Sequence, residues 1–512
     1  MPKVAYIEDD GTTQAFPVVV ASAPDPAPVV TPQWGPLSNQ SRMRVGLTSQ
    51  VTSSSWHLYR DALRTAYLIG VNGGPGNQPV FREQPAAHGA YTLVTDVPCS
   101  VTASGATVEQ VNADGTLFRV TVPQGGRDLT LKYKRNGQPS NDIKAKLFRP
   151  GYTDDFASIF TDEAKAQLKP FGGIRFMDLL ATNGNPLAHW EDRPTEENPS
   201  VDGKTGHPLE VCFQLCNELG KDCYINIPVN ADDGYILGLK SLAESMLRPD
   251  VKCVVEDVNE LWHSAPPFSY ARNIRLEQMR AAIAAGDTTL TDGMPNESYS
   301  LWAFLARRPV EIAKLLGPRF DVVLAGQHAN SSVLKTGLNY VATYLGPPKD
   351  FFKAIVTAPY FYMPTEYQSR VDLTPQQVVE IMASQVNYGA DKRAEHLALA
   401  QQYGLAFDAY ECGRHLHKSA SPQAVIEAQK TTGAAEVIGQ NMRNHLNGGM
   451  RNLYYFVVGS TWGFKPPDQV SVWGATPGTH RSSHTWVALE DVADLGTPKM
   501  QAAVRVAERV QN

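Results

Sequence analysis

From residue 165 onward the apolar positions alternate between two periods. Short β-branched or aromatic runs are each followed by a stretch with helical spacing. Gly173–Leu179 reads as a strand, Glu210–Leu219 as a helix, and Cys223–Ile227 as a strand stopped by Pro228. Tyr235–Leu247 is predicted as a helix and Val251–Glu256 as a strand. Further strands are predicted at Asp321–Ala325, Ala354–Thr357, Leu405–Tyr410 and Leu453–Val458, with helical stretches between them. Upstream, Met43–Leu47 is strand-like, and Trp56–Ile69 carries helical spacing at Leu58, Ala62, Leu63, Ala66 and Tyr67. Eight strand–helix repeats predict an α/β fold, a (β/α)8 TIM barrel, with its chemistry at the C-terminal strand ends.

Residues 80–150 have a different texture. Tyr91–Thr95, Ser100–Thr102, Thr116–Val122 and Leu129–Tyr133 are short runs separated by Gly, Asn and Asp. This spacing predicts a small β-sandwich-like module inserted between the first helix and the second strand. Residues 1–40 hold seven of the 36 prolines, and Pro24, Pro26 and Pro28 alternate with Asp and Ala. That head is expected to be extended. The expected organisation is a Pro-rich segment at 1–42, a barrel over 43–500 interrupted by a β-rich insertion at 77–150, and a helix end at 501–512.

Composition narrows the function. The 512 residues carry 46 Lys+Arg against 52 Asp+Glu, a formal charge of −6. This mild acidic excess argues against a nucleic-acid binder that works by neutralising phosphates. No apolar run reaches the length of a membrane span, and the start of the chain lacks the basic and apolar regions of a secretory signal. The six cysteines, Cys99, Cys212, Cys216, Cys223, Cys253 and Cys412, form no C-x-x-C pair. Cys212 and Cys216 share one helix face and are expected in the core.

The strand ends are polar. The second strand ends near Arg175 and Asp178, followed by Thr182 and Asn183, and the third ends at Asn226, followed by Asn230, Asp232 and Asp233. The fourth leads into Glu256, Asp257, Asn259, Glu260 and Trp262, and the fifth into Gln327 and His328. The sixth leads to Tyr360, the seventh to Glu411 and the eighth to Trp462. Two carboxyls facing each other across a barrel mouth suit glycoside hydrolysis. One gives its proton to the leaving oxygen, and the other attacks the anomeric carbon.

An Asn-Glu dipeptide after strand four and a Glu at strand seven resemble the retaining clan-A (β/α)8 glycoside hydrolases. Val255–Trp262 (VEDVNELW) is similar to the "VEYSNEVW" segment of a set of bacterial barrel proteins of this kind. Arg175–Asp178 with Thr182-Asn183, Leu215–Glu218, Ile225–Pro228 and Ala409–His415 extend the resemblance, in order, over residues 43–490. Asp257 and Cys412 depart from the common Tyr and Gly. The resemblance implies Glu260 as general acid/base and Glu411 as nucleophile. It also implies that Asn259 binds the sugar 2-hydroxyl and that Tyr360 hydrogen-bonds Glu411, with Arg175 acting on Glu411 by charge.

Other roles compete for the same residues. Glu260 could be an acid at a helix N-terminus, Glu411 could pair with Arg414, and Glu256 reads as a structural partner of Arg175. Gln327 and His328 are candidate substrate contacts. Trp262 and Trp462 are candidate stacking platforms, with Trp473 and Trp486 weaker ones, although Trp is also an ordinary core residue. Asp232 reads as a helix cap. His415 and His417 beside Glu411 could be drawn as a metal site, but no second spaced pair supports one. No metal or cofactor is expected. The expected function is thus a retaining β-glycosidase acting on a carbohydrate. The alternative is a non-catalytic carbohydrate-binding barrel, or one attached to a phage particle through residues 1–42. The cellular location stays open.

Overall fold

The computed structural model describes residues 88–458, except 125–128, 136–137, 140–144, 154–157, 196–203, 292–295 and 417–418. It also describes backbone elements at 3–7, 13–17, 44–49, 67–69 and 80–83, and a helix at 498–511. The eight barrel strands are β1 (Arg44–Ser49), β2 (Gly173–Arg175), β3 (Asp222–Ile227) and β4 (Cys253–Asp257), then β5 (Phe320–Ala325), β6 (Ala354–Thr357), β7 (Ala406–His415) and β8 (Asn452–Val458). Each pairs in parallel with the next, and β8 pairs with β1, so the sheet closes on itself. Closure removes every open edge.

Alternation along the strands sorts the residues into two cores. Cys223, Ile225, Cys253, Val255, Val322, Leu324, Ile355 and Phe407 face outward and pack under the helices. Tyr224, Val323, Ala354, Val356, Tyr410 and Tyr454 fill the barrel interior. Cys212 and Cys216 lie buried on the helix Leu209–Leu219, as their spacing predicts. Among the described residues, no helix is long and apolar enough to cross a membrane.

Between β1 and β2 stand two antiparallel sheets, one of four strands and one of five. Tyr91, Leu93, Phe118 and Val120 from one pack with Leu129, Leu131 and Tyr133 from the other in a single apolar cluster. This is the predicted inserted sandwich. The helix expected over 56–69 largely lies outside the described residues, but its last three positions, Tyr67–Ile69, form a strand paired with Val80–Glu83. Tyr, Leu and Ile suit a half-buried strand as well as a helix. At the N-terminus, Lys3–Ile7 and Thr13–Pro17 form a hairpin that proline counting does not predict. The alternating prolines at 24–28 lie outside the described residues.

Candidate active site

Three strand ends bring the polar groups together. β2 is shorter than its apolar pattern suggests and stops at Arg175. The chain then turns: Leu180 N–H donates to the Phe176 carbonyl, and Thr182 closes back on Met177 through both its N–H and its hydroxyl. Ala181 takes φ +50° in this turn. The turn frees Arg175 to lie wholly buried inside the barrel. Its Nη1 donates to Glu411 Oε1 at 2.5 Å, and its Nη2 donates to Glu256 Oε2 at 2.9 Å and to Asn259 Oδ1 at 3.0 Å. The guanidinium carbon also stands 4.8 Å from the Tyr410 ring centre and 5.3 Å from that of Tyr224. One cation thus organises two carboxylates and an amide through two separate nitrogens of a rigid planar fork.

Glu256 serves as the counter-charge at the bottom of this cluster. Its Oε2 accepts from Tyr224 Oη at 3.0 Å and Asn226 Nδ2 at 2.8 Å, besides Arg175. Burial pushes its carboxyl above the usual range, and Arg175 and these donors oppose that shift. The expectation of an Arg175–Glu256 ion pair agrees with this geometry.

After Asp257 the chain leaves β4 in a tight turn. Val258 has φ +61° and Glu260 has φ +49°. Neither residue type favours the left-handed region, and such positions cost about 1–3 kcal/mol each. Asn226 Nδ2 holds the Val258 carbonyl at 2.6 Å, and the Val258 N–H donates to the Ile227 carbonyl at 3.1 Å. The strained turn is therefore pinned from β3. It aims Glu260 toward β7, where Tyr410 Oη donates to Glu260 Oε1 at 2.8 Å. The next helix begins only at Ser269, so Glu260 does not sit at a helix N-terminus. Asp257, the departure from the common Tyr, faces outward and binds Arg275 of that helix at 2.7 Å.

β7 runs through Glu411 to His415 instead of ending at Tyr410. Against β8 its register slips: Ala409 pairs with Leu453 and Cys412 with Tyr455, so three steps on β7 oppose two on β8. This extra residue lets Tyr410 and Glu411, adjacent in sequence, both meet groups inside the barrel. Tyr410 reaches Glu260, while Glu411 accepts from Arg175 and, at 2.9 Å, from Tyr360 Oη. Arg414 is occupied elsewhere, by Gln429 and Tyr455, and is not the partner of Glu411. Cys412 packs outward in the shell core.

The two carboxyls have unlike surroundings. Glu411 accepts hydrogen bonds on both oxygens, one of them from a cation. Glu260 has a single phenolic donor. Burial, and then the negative charge of Glu411, push the Glu260 carboxyl up to about 8. At neutral pH one group of the pair is thus a proton carrier.

Asn183 and Asn259 meet at 3.4 Å beside Arg175. Trp262 is half-buried, with its ring 6.2 Å from that of Tyr410. Gln327 is half-buried. His328 is placed differently. Its Nδ1 meets Thr357 Oγ1 at 3.0 Å, and its carbonyl is met by His396 Nε2 at 3.0 Å. Thr357 follows the inward Val356 and therefore faces the helices, so His328 stands outside the barrel wall. Burial lowers its imidazole to about 4. Asp232 caps the helix Asp233–Met246 by accepting from the Tyr235 N–H at 2.7 Å. Trp462, Trp473, Trp486 and His417 lie outside the described residues.

Strand-end position alone gives Asp178 no place in the site and does not single out Tyr410. Asp178 Oδ2 is buried with no hydrogen-bond partner among the described residues. Burial, together with the charge of Glu411, pushes this carboxyl up to about 7.

No family model matches the chain. No curated protein matches it either. Among solved structures, it is similar to a GH51 arabinofuranosidase from Xanthomonas axonopodis pv. citri, with 13% identity, 60% of this chain and 62% of that one covered, and a TM-score of 0.40. It is similar to a 4-O-α-L-rhamnosyl-β-D-glucuronidase from Fusarium oxysporum at 10% identity, covering 66% of this chain and 61% of that one, with a TM-score of 0.37. It is also similar to the CBM22-1-GH10 modules of a Clostridium thermocellum endo-1,4-β-D-xylanase at 10% identity, covering 84% of both chains, with a TM-score of 0.35. The chain thus spans about three fifths of the length of the first two.

Proposed function

We propose that this protein is a retaining glycoside hydrolase that cleaves β-glycosidic bonds, with Glu260 as acid/base and Glu411 as nucleophile. The observation that carries this reading is the division of labour between the two carboxyls. Glu260 is pushed to about 8 and holds a proton at neutral pH. Glu411 accepts from Arg175 on one oxygen and from Tyr360 on the other, which holds it in place to attack. A carboxyl that keeps its proton at neutral pH beside a second carboxyl suits the acid role.

In the first step Glu411 attacks the anomeric carbon while Glu260 protonates the departing oxygen. Glu411 then loses its charge, and Arg175 keeps Glu256 as its partner, so the cation is not stranded. In the second step Glu260, now ionised, takes a proton from water, and that water releases the sugar from Glu411. Asn259, fixed by Arg175, would meet the hydroxyl next to the reacting carbon.

The test is a screen of wild type and Glu411→Gln against neutral and acidic polysaccharides with product analysis. Hydrolysis by wild type that Glu411→Gln lacks supports the reading. Near-normal turnover by Glu411→Gln overturns it.

A further inference from the structure

From Tyr360, which bonds Glu411, a strip of aromatic side chains leads out of the site, and its outer members are used by none of the steps above. A short strand, Tyr360–Tyr362, pairs in parallel with the end of β7, matching Tyr360 with Gly413 and Tyr362 with His415. Residues two apart on a strand share a face, so Tyr360 and Tyr362 point the same way. Tyr360 is at the inner end, bonded to Glu411. The His415 ring lies 6.0 Å from Tyr360 and 5.3 Å from Tyr362. Tyr388 continues the line, 5.8 Å from Tyr362 and nearly perpendicular to it.

The outer two rings are open, with Tyr362 38% exposed and Tyr388 49% exposed. They are nevertheless held firmly. The Tyr388 turn is tied to the helix Thr432–Asn447, where Asn441 and Asn444 donate to the Val386 carbonyl and Asn444 also meets Asn387. Gly389 closes that turn at φ +72°, and a Cβ there would stand 3.0 Å from His328 Nε2. His328, which faces away from the carboxyls, thus shapes the turn that carries Tyr388. Exposed aromatics on a rigid mount beside a reactive cleft mark a ligand surface.

Position and charge say what would lie there. The strip begins at Tyr360, which donates to Glu411, so Tyr362 and Tyr388 lead outward from the carboxyl pair. Neither 359–363 nor 385–390 contains a charged residue. The apolar C–H face of an uncharged sugar ring can stack on such phenol rings.

We propose that Tyr362 and Tyr388 form a stacking subsite that binds uncharged sugar units of a polysaccharide beside the carboxyl pair. This deepens the hydrolase reading and rests on it for the place of the scissile bond, but the stacking site itself does not need catalysis. The test is native electrophoresis of Glu411→Gln through gels holding hydroxyethylcellulose, galactomannan, arabinoxylan or polygalacturonate. At least one neutral polymer is expected to retard the protein. The further changes Tyr362→Ala and Tyr388→Ala should weaken that binding about tenfold, and the two Phe variants should preserve it. No retardation by any neutral polymer, retardation by polygalacturonate alone, or retardation unaffected by the Ala changes would each overturn the subsite. Tyrosine-dependent retardation in a wild-type protein that hydrolyses nothing would overturn the hydrolase reading and leave the binding site standing.

Discussion

Arg175 and Glu411 are 236 residues apart in sequence and joined at 2.5 Å inside the barrel. Both are almost entirely shielded from water. Removing one member of such a pair leaves a charge buried without its partner and costs about 3–5 kcal/mol. Arg175→Ala should therefore lower the unfolding midpoint in urea as well as abolish activity. Arg175→Lys should restore part of the stability but little of the activity, because a single ammonium nitrogen lacks the fixed, planar spread of donors that holds Glu256, Glu411 and Asn259 apart. Parallel denaturant curves and rate measurements check this. Equal activity of the Lys variant and wild type would show that the fork is not needed.

In the proposed mechanism the Glu260 proton sets the alkaline side of the activity profile. Activity should fall as pH rises through about 8, where Glu260 loses its proton. Tyr410 donates to Glu260 and favours its charged form. Tyr410→Phe should therefore move the alkaline limb to higher pH, even as it lowers the maximum rate. A limb that stays put or moves down would contradict the role given to Tyr410.

Stability should respond to the same group. The folded-state value of Glu260 is raised above its unfolded value, so the proton favours the folded state. That contribution is complete below the unfolded range and is lost as pH rises through about 8. Glu260→Gln removes the buried charge. It should be more stable than wild type at pH ~9 by roughly 1–3 kcal/mol, with a smaller gain near pH ~5. Thermal melts at the two pH values measure this, and a gain confined to low pH would reverse the sign.

The leaving oxygen should reveal the acid. General acid catalysis contributes about 100- to 10,000-fold. Glu260→Gln should lose that much on a glycoside with a sugar leaving group, and far less on a dinitrophenyl glycoside, whose departure needs no proton. Equal losses on the two substrates would remove Glu260 from the acid role.

The barrel itself was legible because period and breaker residues repeat eight times, and each repeat is a local signal. Arg175, Asn259, Glu260, Tyr360 and Glu411 were legible as polar residues at strand ends. What escaped was set by distant parts of the chain. The extra residue in β7 that presents both Tyr410 and Glu411 exists only in pairing with β8. The left-handed turn at Val258 and Glu260 runs against the preference of both residues and is held by Asn226 on another strand. His328 looked like a mouth residue from its place after β5, but alternation on β6 puts its partner Thr357 on the outer face. Tyr67–Ile69 carries on the helical spacing that begins at Trp56, yet it forms a strand, because Val80–Glu83 offers it a partner that local spacing does not reveal.

The central claim is that Glu411 forms a bond to sugar. A substrate fluorinated beside its anomeric carbon and carrying a fast leaving group slows release of the glycosyl-enzyme, so the adduct accumulates for peptide mapping by mass spectrometry. The account predicts one added sugar per chain, located on Glu411. An adduct on another residue, or no adduct together with products of inverted configuration, would contradict it.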